Sequence, residues 1–228
     1  MTTTRCILTL LVALLGAPSL CRAWTLAAPG TARSWNPLFS MSTARTGTDT
    51  TRDERVQEIL QLARELGPVG VRQSAENQQR ILDAALQLNE FSDPAPAKIP
   101  LSGIHNLLYS AAPGGSSGKL GPLDGAVTQE FVDDRTFINA VQLGPVKIAL
   151  TASREIKNDT TIAVKFHKTA VSVFGVKIVE KEVGGGGAWK MVFAGKVQDR
   201  EGTEKLIRVI QTPSLFVIEQ PLNKSDAM

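Results

Sequence analysis

Two stretches of the chain repeat apolar residues at intervals of three and four, which is the spacing of a helix that buries one face. The first stretch runs from Thr51 to Gly67, where the Gly67-Pro68 pair ends it. The second runs from about Ser74, a residue suited to cap a helix, to Phe91. We therefore predict two amphipathic helices. Their apolar faces consist of Val56, Ile59, Leu60, Ala63 and Leu66 in the first, and Ile81, Leu82, Ala85 and Leu88 in the second.

From Leu101 onward apolar residues recur at every second position, which is the period of a half-buried strand. Val146, Ile148 and Leu150 show this pattern. About eight or nine short strands without helices between them indicate a mainly β protein, in which an antiparallel sheet closes or nearly closes into a barrel. Such a barrel is wide enough for either a side-chain core or one small apolar ligand. We predict strands near residues 103–111, 125–133, 135–142, 145–156, 160–167, 170–178, 188–196, 205–211 and 213–219.

Aromatic residues fall one or two to a predicted strand, and they are the candidate lining of the barrel. Facing inward, they would form an apolar interior in which Tyr109 or Trp189 supplies a polar group. A packed core without a ligand satisfies the same pattern, because periodicity shows which residues face together and not whether the space between them is filled. The candidate lining residues are Tyr109, Phe131, Phe137, Phe166, Phe174, Trp189, Phe193 and Phe216.

One segment matches a catalytic motif. Gly114–Gly118 has the pattern of a hydrolase nucleophile elbow, with Ser116 at the position of the nucleophile. The elbow requires a strand that turns sharply into a helix, but Gly121 and Pro122 stand where that helix must begin. We therefore interpret the segment as a flexible loop between strands.

The two histidines, His105 and His167, have no ligand spacing around them, so a metal site would have to be assembled from distant strands. We expect a surface or lining role for both. No catalytic set remains, and we predict a non-enzymatic protein without a metal or another cofactor.

The first 48 residues have the composition of a targeting leader. Arg5 precedes the apolar run Ile7 to Leu15, and Cys21-Arg22-Ala23 suits a signal peptidase, which predicts a signal peptide over residues 1–23. Residues 24–48 contain no acidic residue, which is typical of an organelle transit peptide. Plain secretion is the alternative.

The leader also carries the positive charge of the chain. The chain has 25 basic and 22 acidic residues, and four arginines precede the first acidic residue, Asp49. Removing these four leaves 21 basic residues against 22 acidic ones, so the remainder lacks the basic excess that nucleic-acid binding favours. The two cysteines, Cys6 and Cys21, also lie in the leader, which leaves the mature part without a thiol.

The order of motifs from about residue 56 to 220 resembles the plastid lipid-associated protein family, also called fibrillins or plastoglobulins. Gly67–Val71 followed by Ile81–Leu86 is similar to the family's helical segment, and Gly103–Ser110 is similar to its first strand. Ala188–Lys190 and Leu206–Ile218 are similar to its last strands. The resemblance implies one domain over residues 52–220, in which 52–92 form the helical segment and 101–220 form a lipocalin-like barrel.

Two positions depart from the family pattern. His105 stands at the place of a tryptophan, which implies different packing at the barrel floor. Gln211 stands where a second arginine is common, so Arg208 lacks that partner. Arg208 alone either binds one carboxylate or phosphate, or lies on the outer face.

The resemblance implies a protein that binds isoprenoid-type lipids, such as a prenyl quinone or a carotenoid, and that coats plastoglobules or thylakoids as a peripheral protein. The two-part leader resembles those that direct proteins to secondary plastids. One alternative is an accessory subunit that hands lipid to an isoprenoid or quinone biosynthetic enzyme. A barrel enzyme that acts on a lipid is the third hypothesis.

Overall fold

The computed structural model describes residues 49–198 and 202–222 of the 228-residue chain. The predicted signal peptide and transit peptide, residues 1–23 and 24–48, lie outside the described residues.

Two helices precede the sheet, as predicted. Helix α1 spans Asp49–Leu66, and Gly67 ends it in a left-handed conformation with φ 72°. Helix α2 spans Ala75–Gln87 and is capped by Ser74, whose hydroxyl accepts a hydrogen bond of 3.2 Å from the backbone nitrogen of Asn77. Neither helix in the described part of the chain is long and apolar enough to cross a membrane.

The strands form one large antiparallel sheet and one small one. The strands are β1 Gly103–Ser110, β2 Lys119–Leu120, β3 Leu123–Asp124, β4 Ala126–Phe131, β5 Thr136–Leu143, β6 Val146–Ile156, β7 Thr161–Val173, β8 Val176–Glu182, β9 Gly186–Gln198, β10 Glu204–Gln211 and β11 Leu215–Pro221. The small sheet pairs β2 with β3. The large sheet has the order β6-β5-β4-β1-β11-β10-β9-β7-β8, and an additional pairing between β6 and β7 closes it into a ring. The predicted antiparallel barrel is confirmed.

The prediction of separate strands over residues 160–167 and 170–178 was wrong. A single strand, β7, continues to Val173, and the chain turns at Phe174-Gly175 before β8. Lys168 of β7 pairs with Thr151 of β6, while Phe166 pairs with Ala152, so His167 is an extra residue in β7. This β-bulge interrupts the alternation of apolar residues. The sequence pattern around it therefore resembles the end of one strand and the start of another.

The barrel has an inner and an outer hydrophobic layer. Strand β10 serves both layers: Leu206 and Ile210 belong to the inner cluster, while Ile207 and Val209 belong to the outer one. The two helices cover the outer layer. The residues that α1 and α2 contribute to it are Val56, Ile59, Leu60, Leu62, Ala63, Ile81, Ala84 and Ala85, and Leu88 joins them from the 3-10 helix directly after α2. The helices therefore pack on the outside of the barrel and leave its interior to the strands.

We predict that Phe174→Asn stabilises the protein by about 0.5–1 kcal/mol. Phe174 is 81% exposed and has a φ of 49°. This backbone conformation is unfavourable for most residues other than glycine, and among those residues asparagine tolerates it well. Urea denaturation measures the free energy of unfolding. The reading of Phe174 as an exposed, strained turn residue is wrong if the variant unfolds more easily, and Phe174→Leu is the control that keeps an apolar side chain.

Candidate functional site

A partly enclosed cavity of about 180 Å³ lies inside one end of the barrel. The segment after β1 and the turn between β10 and β11 surround its mouth, where Pro113 and Pro213 are exposed to solvent. The deeper wall is mainly apolar. It is formed by Leu107, Val127, Phe166, Trp189, Ile210, Phe216 and Ile218.

Three of the predicted aromatic residues line this cavity: Phe166, Trp189 and Phe216. The rings of Trp189 and Phe216 stack with centroids 6.2 Å apart. The ring centroids of Phe137 and Trp189 are 5.8 Å apart, and those of Phe131 and Phe137 are 5.6 Å apart. The series of aromatic contacts therefore continues from the cavity into a packed part of the interior. The two alternatives left open by periodicity therefore coexist, because one part of the barrel is filled with rings and another holds a void.

Three other predicted lining residues do not face the interior. A register shift in β1 between Leu107 and Tyr109 places Tyr109 in the outer cluster, where burial raises the pKa of its phenol. A similar shift between β9 and β10 places Phe193 in the same cluster beneath the helices. Phe174 is exposed at the β7–β8 turn. The expectation that these three rings face inward was wrong, since β-bulges and a turn interrupt the alternation.

Arg208 lies inside the barrel and is 1% exposed, so the alternative that placed it on the outer face was wrong. Its Nη2 donates a hydrogen bond of 2.6 Å to Oε1 of Gln129. Its guanidinium lies 5.1 Å from the ring centroid of Phe131, and the guanidinium of Arg154 lies 5.2 Å from the same centroid. Burial, with a further contribution from Arg154, lowers the pKa of Arg208 to about 9.

Arg208 has no buried counterion. Among the side chains that the structure describes in residues 51–198 and 202–222, no aspartate or glutamate is buried. The Nε of Arg208 is also buried without a hydrogen-bond partner. Placing a cation in a low-dielectric interior without an anion is unfavourable by several kcal/mol. Arg208 is thus a feature that a plain hydrophobic core would not contain.

Gln129 and Asn139 connect Arg208 to the cavity. Both side chains are buried and both line the cavity, and Gln129 Nε2 donates a hydrogen bond of 3.0 Å to Oδ1 of Asn139. Strands β4 and β5 pair these two residues directly. We call Gln129 and Asn139, with Arg208 behind them, the polar floor.

His105 lies next to the polar floor and is 0% exposed. Its Nε2 is 3.2 Å from the carbonyl oxygen of Ser102, and its ring meets Phe131 edge-on with centroids 5.0 Å apart. Burial lowers its pKa to about 3, and the positive charges of Arg208 and Arg154 contribute. The imidazole is therefore neutral at pH 7 and donates from Nε2 to the Ser102 carbonyl.

Sequence analysis missed Gln129, Asn139 and Arg154. A signal for the first two was present, because each stands at an inward position of an otherwise apolar alternation: Gln129 between Val127 and Phe131, and Asn139 between Phe137 and Val141. A polar residue at such a position needs a partner inside the protein.

The segment with the hydrolase motif contributes to the wall of the cavity. Gly114–Ser117 form a short 3-10 helix, and the Ser116 hydroxyl donates to the carbonyl oxygen of Pro113 at 3.0 Å. The next elements along the chain are the short strands β2 and β3. The segment therefore connects strands, as predicted, and lacks the strand-to-helix turn of a nucleophile elbow, but it is a short 3-10 helix with Ser116 and Ser117 buried rather than the flexible loop that we predicted.

Comparisons with family models, curated proteins and solved structures found no match to this chain. The resemblance to the fibrillin family therefore stays a prediction from its motifs. In the part of the chain that the structure describes, no three metal-ligating side chains cluster.

We predict that His105 makes the protein less stable in mild acid. Its pKa is 6.5 in the unfolded chain and about 3 in the fold, so only the unfolded state gains a proton as the pH falls below 6.5. The free energy of unfolding is highest above pH 6.5 and falls by up to about 1.4 kcal/mol per pH unit below it.

Urea denaturation at several pH values measures this slope. Above about pH 5 the carboxylates remain ionised, so the difference between the wild-type protein and His105→Gln isolates this histidine. His167→Gln, which removes the exposed second histidine, is the matched control. An equal slope in the wild-type protein and His105→Gln would contradict the prediction.

Proposed function

We propose that this protein is a non-enzymatic carrier that holds a hydrophobic molecule in the barrel cavity. The observation that carries the proposal is the void of about 180 Å³ bordered by Phe166, Trp189 and Phe216 inside a closed sheet. An apolar cavity of this size gives water few hydrogen bonds and accepts an apolar guest instead. The wall combines aromatic surface with a few polar groups, which is the composition of small-molecule sites.

The size of the cavity limits the guest. Pockets that enclose drug-sized ligands measure about 300–1,000 Å³, so this cavity holds a single slim chain or one end of a longer molecule. A prenyl quinone or a carotenoid would place one end between the rings and extend through the mouth. The proposal therefore favours a lipid that binds by insertion of one end.

A plastid location completes the proposal. It rests on the composition of residues 1–48 and on the motif resemblance to the fibrillins, a family of proteins associated with plastoglobules and thylakoids. Peripheral attachment to such a lipid surface would place the mouth of the cavity within reach of its ligand.

The proposal predicts that filling the mouth abolishes binding. Ser214 lines the cavity, and its turn is held by a hydrogen bond from Thr212 N to Ser214 O and by another from Ser214 N to the Thr212 hydroxyl. Ser214→Phe leaves these bonds in place and adds a ring at the mouth. We expect it to weaken binding of β-ionone, a neutral isoprenoid, by about tenfold or more, which is ~1.4 kcal/mol.

Quenching of Trp189 fluorescence measures this binding. In the full chain, Trp24→Phe and Trp35→Phe leave Trp189, a residue of the cavity wall, as the only tryptophan. Ser172→Phe is the matched control, because Ser172 is also half-buried but does not line the cavity. Equal affinity in Ser214→Phe and Ser172→Phe would contradict the proposed function.

A further inference from the structure

The direction of hydrogen bonding in the polar floor is fixed by chemistry. A guanidinium carries donors only, so Gln129 must turn its oxygen toward Arg208. The amide nitrogen of Gln129 then faces Asn139, which must accept with its own oxygen. Asn139 is left with its amide nitrogen as the last donor of the series, on the wall of the cavity. A group that binds there has to be a hydrogen-bond acceptor.

The charge of the polar floor is positive. Arg208 is fully buried, Arg154 is mostly buried on the same ring of Phe131, and no carboxylate of the described residues is buried with them. The neighbouring His105 donates to Ser102 and adds no negative charge. In a low-dielectric interior this arrangement favours an anionic guest over a neutral one.

The two ends of the cavity differ in character. Along β10, Ile210 lies near the mouth and Arg208 lies two residues deeper, and along β11 the corresponding residues are Phe216 and Ile218. A molecule that enters from solvent thus passes apolar side chains before it reaches Asn139. This order suits an amphiphile that enters with its polar group first.

We propose that the cavity takes a lipid carboxylate, whose carboxylate accepts a hydrogen bond from the Asn139 amide and is stabilised by Arg208, while its chain lies between Phe166, Trp189 and Phe216. This inference rests on the proposed function and names the class of its ligand. It replaces a neutral isoprenoid with a single-chain acid as the preferred guest. No covalent step is involved.

The test compares decanoate with decanol, which has the same chain and a neutral head, on the full-length Trp24→Phe/Trp35→Phe protein. Loss of a hydrogen bond to a charged group changes affinity by about 10- to 100-fold. We expect decanoate to bind tighter than decanol by this factor. Asn139→Leu and Arg208→Met should each remove the preference by weakening decanoate binding, with decanol binding retained.

Gln220→Leu is the matched control. Gln220 is another buried amide, and it donates to the carbonyl oxygen of Ser102 and does not line the cavity. The preference for decanoate should persist in this variant. Carbon-13 NMR of carboxyl-labelled decanoate on the parent protein adds a measurement that needs no variant: the pKa of the bound acid should be lower than that of the free acid.

The outcomes separate the two proposals. Equal affinity for decanoate and decanol, or an unchanged or raised pKa of bound decanoate, overturns the carboxylate inference. If β-ionone still binds and Ser214→Phe still blocks it, the proposed function stands without that inference. If neither β-ionone nor the two decyl compounds show saturable binding, both proposals are wrong.

Discussion

The pairing of β6 with β7 is the constraint on which the rest of the structure depends. Residues Val146–Ile156 pair with β5 on one side and with β7 on the other, and this second pairing converts an open sheet into a ring. Closure satisfies the backbone donors and acceptors that an open edge would expose. It also encloses an interior with a low dielectric constant, in which each polar side chain has a large energetic effect.

The enclosed interior contains closely packed aromatic rings, a cavity and the buried charge of Arg208. The rings of Phe131 and Phe137 fill one part, while Phe166, Trp189 and Phe216 border the cavity in another. Arg208 lies next to both and donates a hydrogen bond to Gln129. Replacing a buried ionic group with a well-packed apolar one is often neutral or stabilising, so stability alone does not explain this arginine. Violations of ordinary core composition are expected at functional sites.

The sequence alone was enough to predict the helices and strands whose apolar pattern depends only on residues close together in the chain. The apolar spacing of α1 and α2, the cap at Ser74 and the alternation along β5 and β6 each depend on residues close in the chain, and each is present in the fold. The β-bulges were not predictable from the same pattern. An extra residue reverses which side chains face inward, and this explains the errors at Tyr109 and Phe193 and the apparent break in β7.

The candidate site was predictable only in part, for a different physical reason. Phe166, Trp189 and Phe216 follow from alternation, but the void between them depends on how side chains from seven strands fill a shared volume. Gln129 and Asn139 are ordinary polar residues until the register of β4 and β5 makes them partners. Arg208 could be placed inside only once the fold showed that the helices cover the opposite face of β10, which carries Ile207 and Val209.

Native mass spectrometry of the full chain, purified without detergent or denaturant and followed by extraction and identification of the bound lipid, tests the central claim most directly. The account predicts one small lipid per protein molecule, with a carboxylate at one end of a single chain. A protein that is fully free of lipid, and that remains so after incubation with decanoate and with β-ionone, would contradict the claim that the barrel is a carrier.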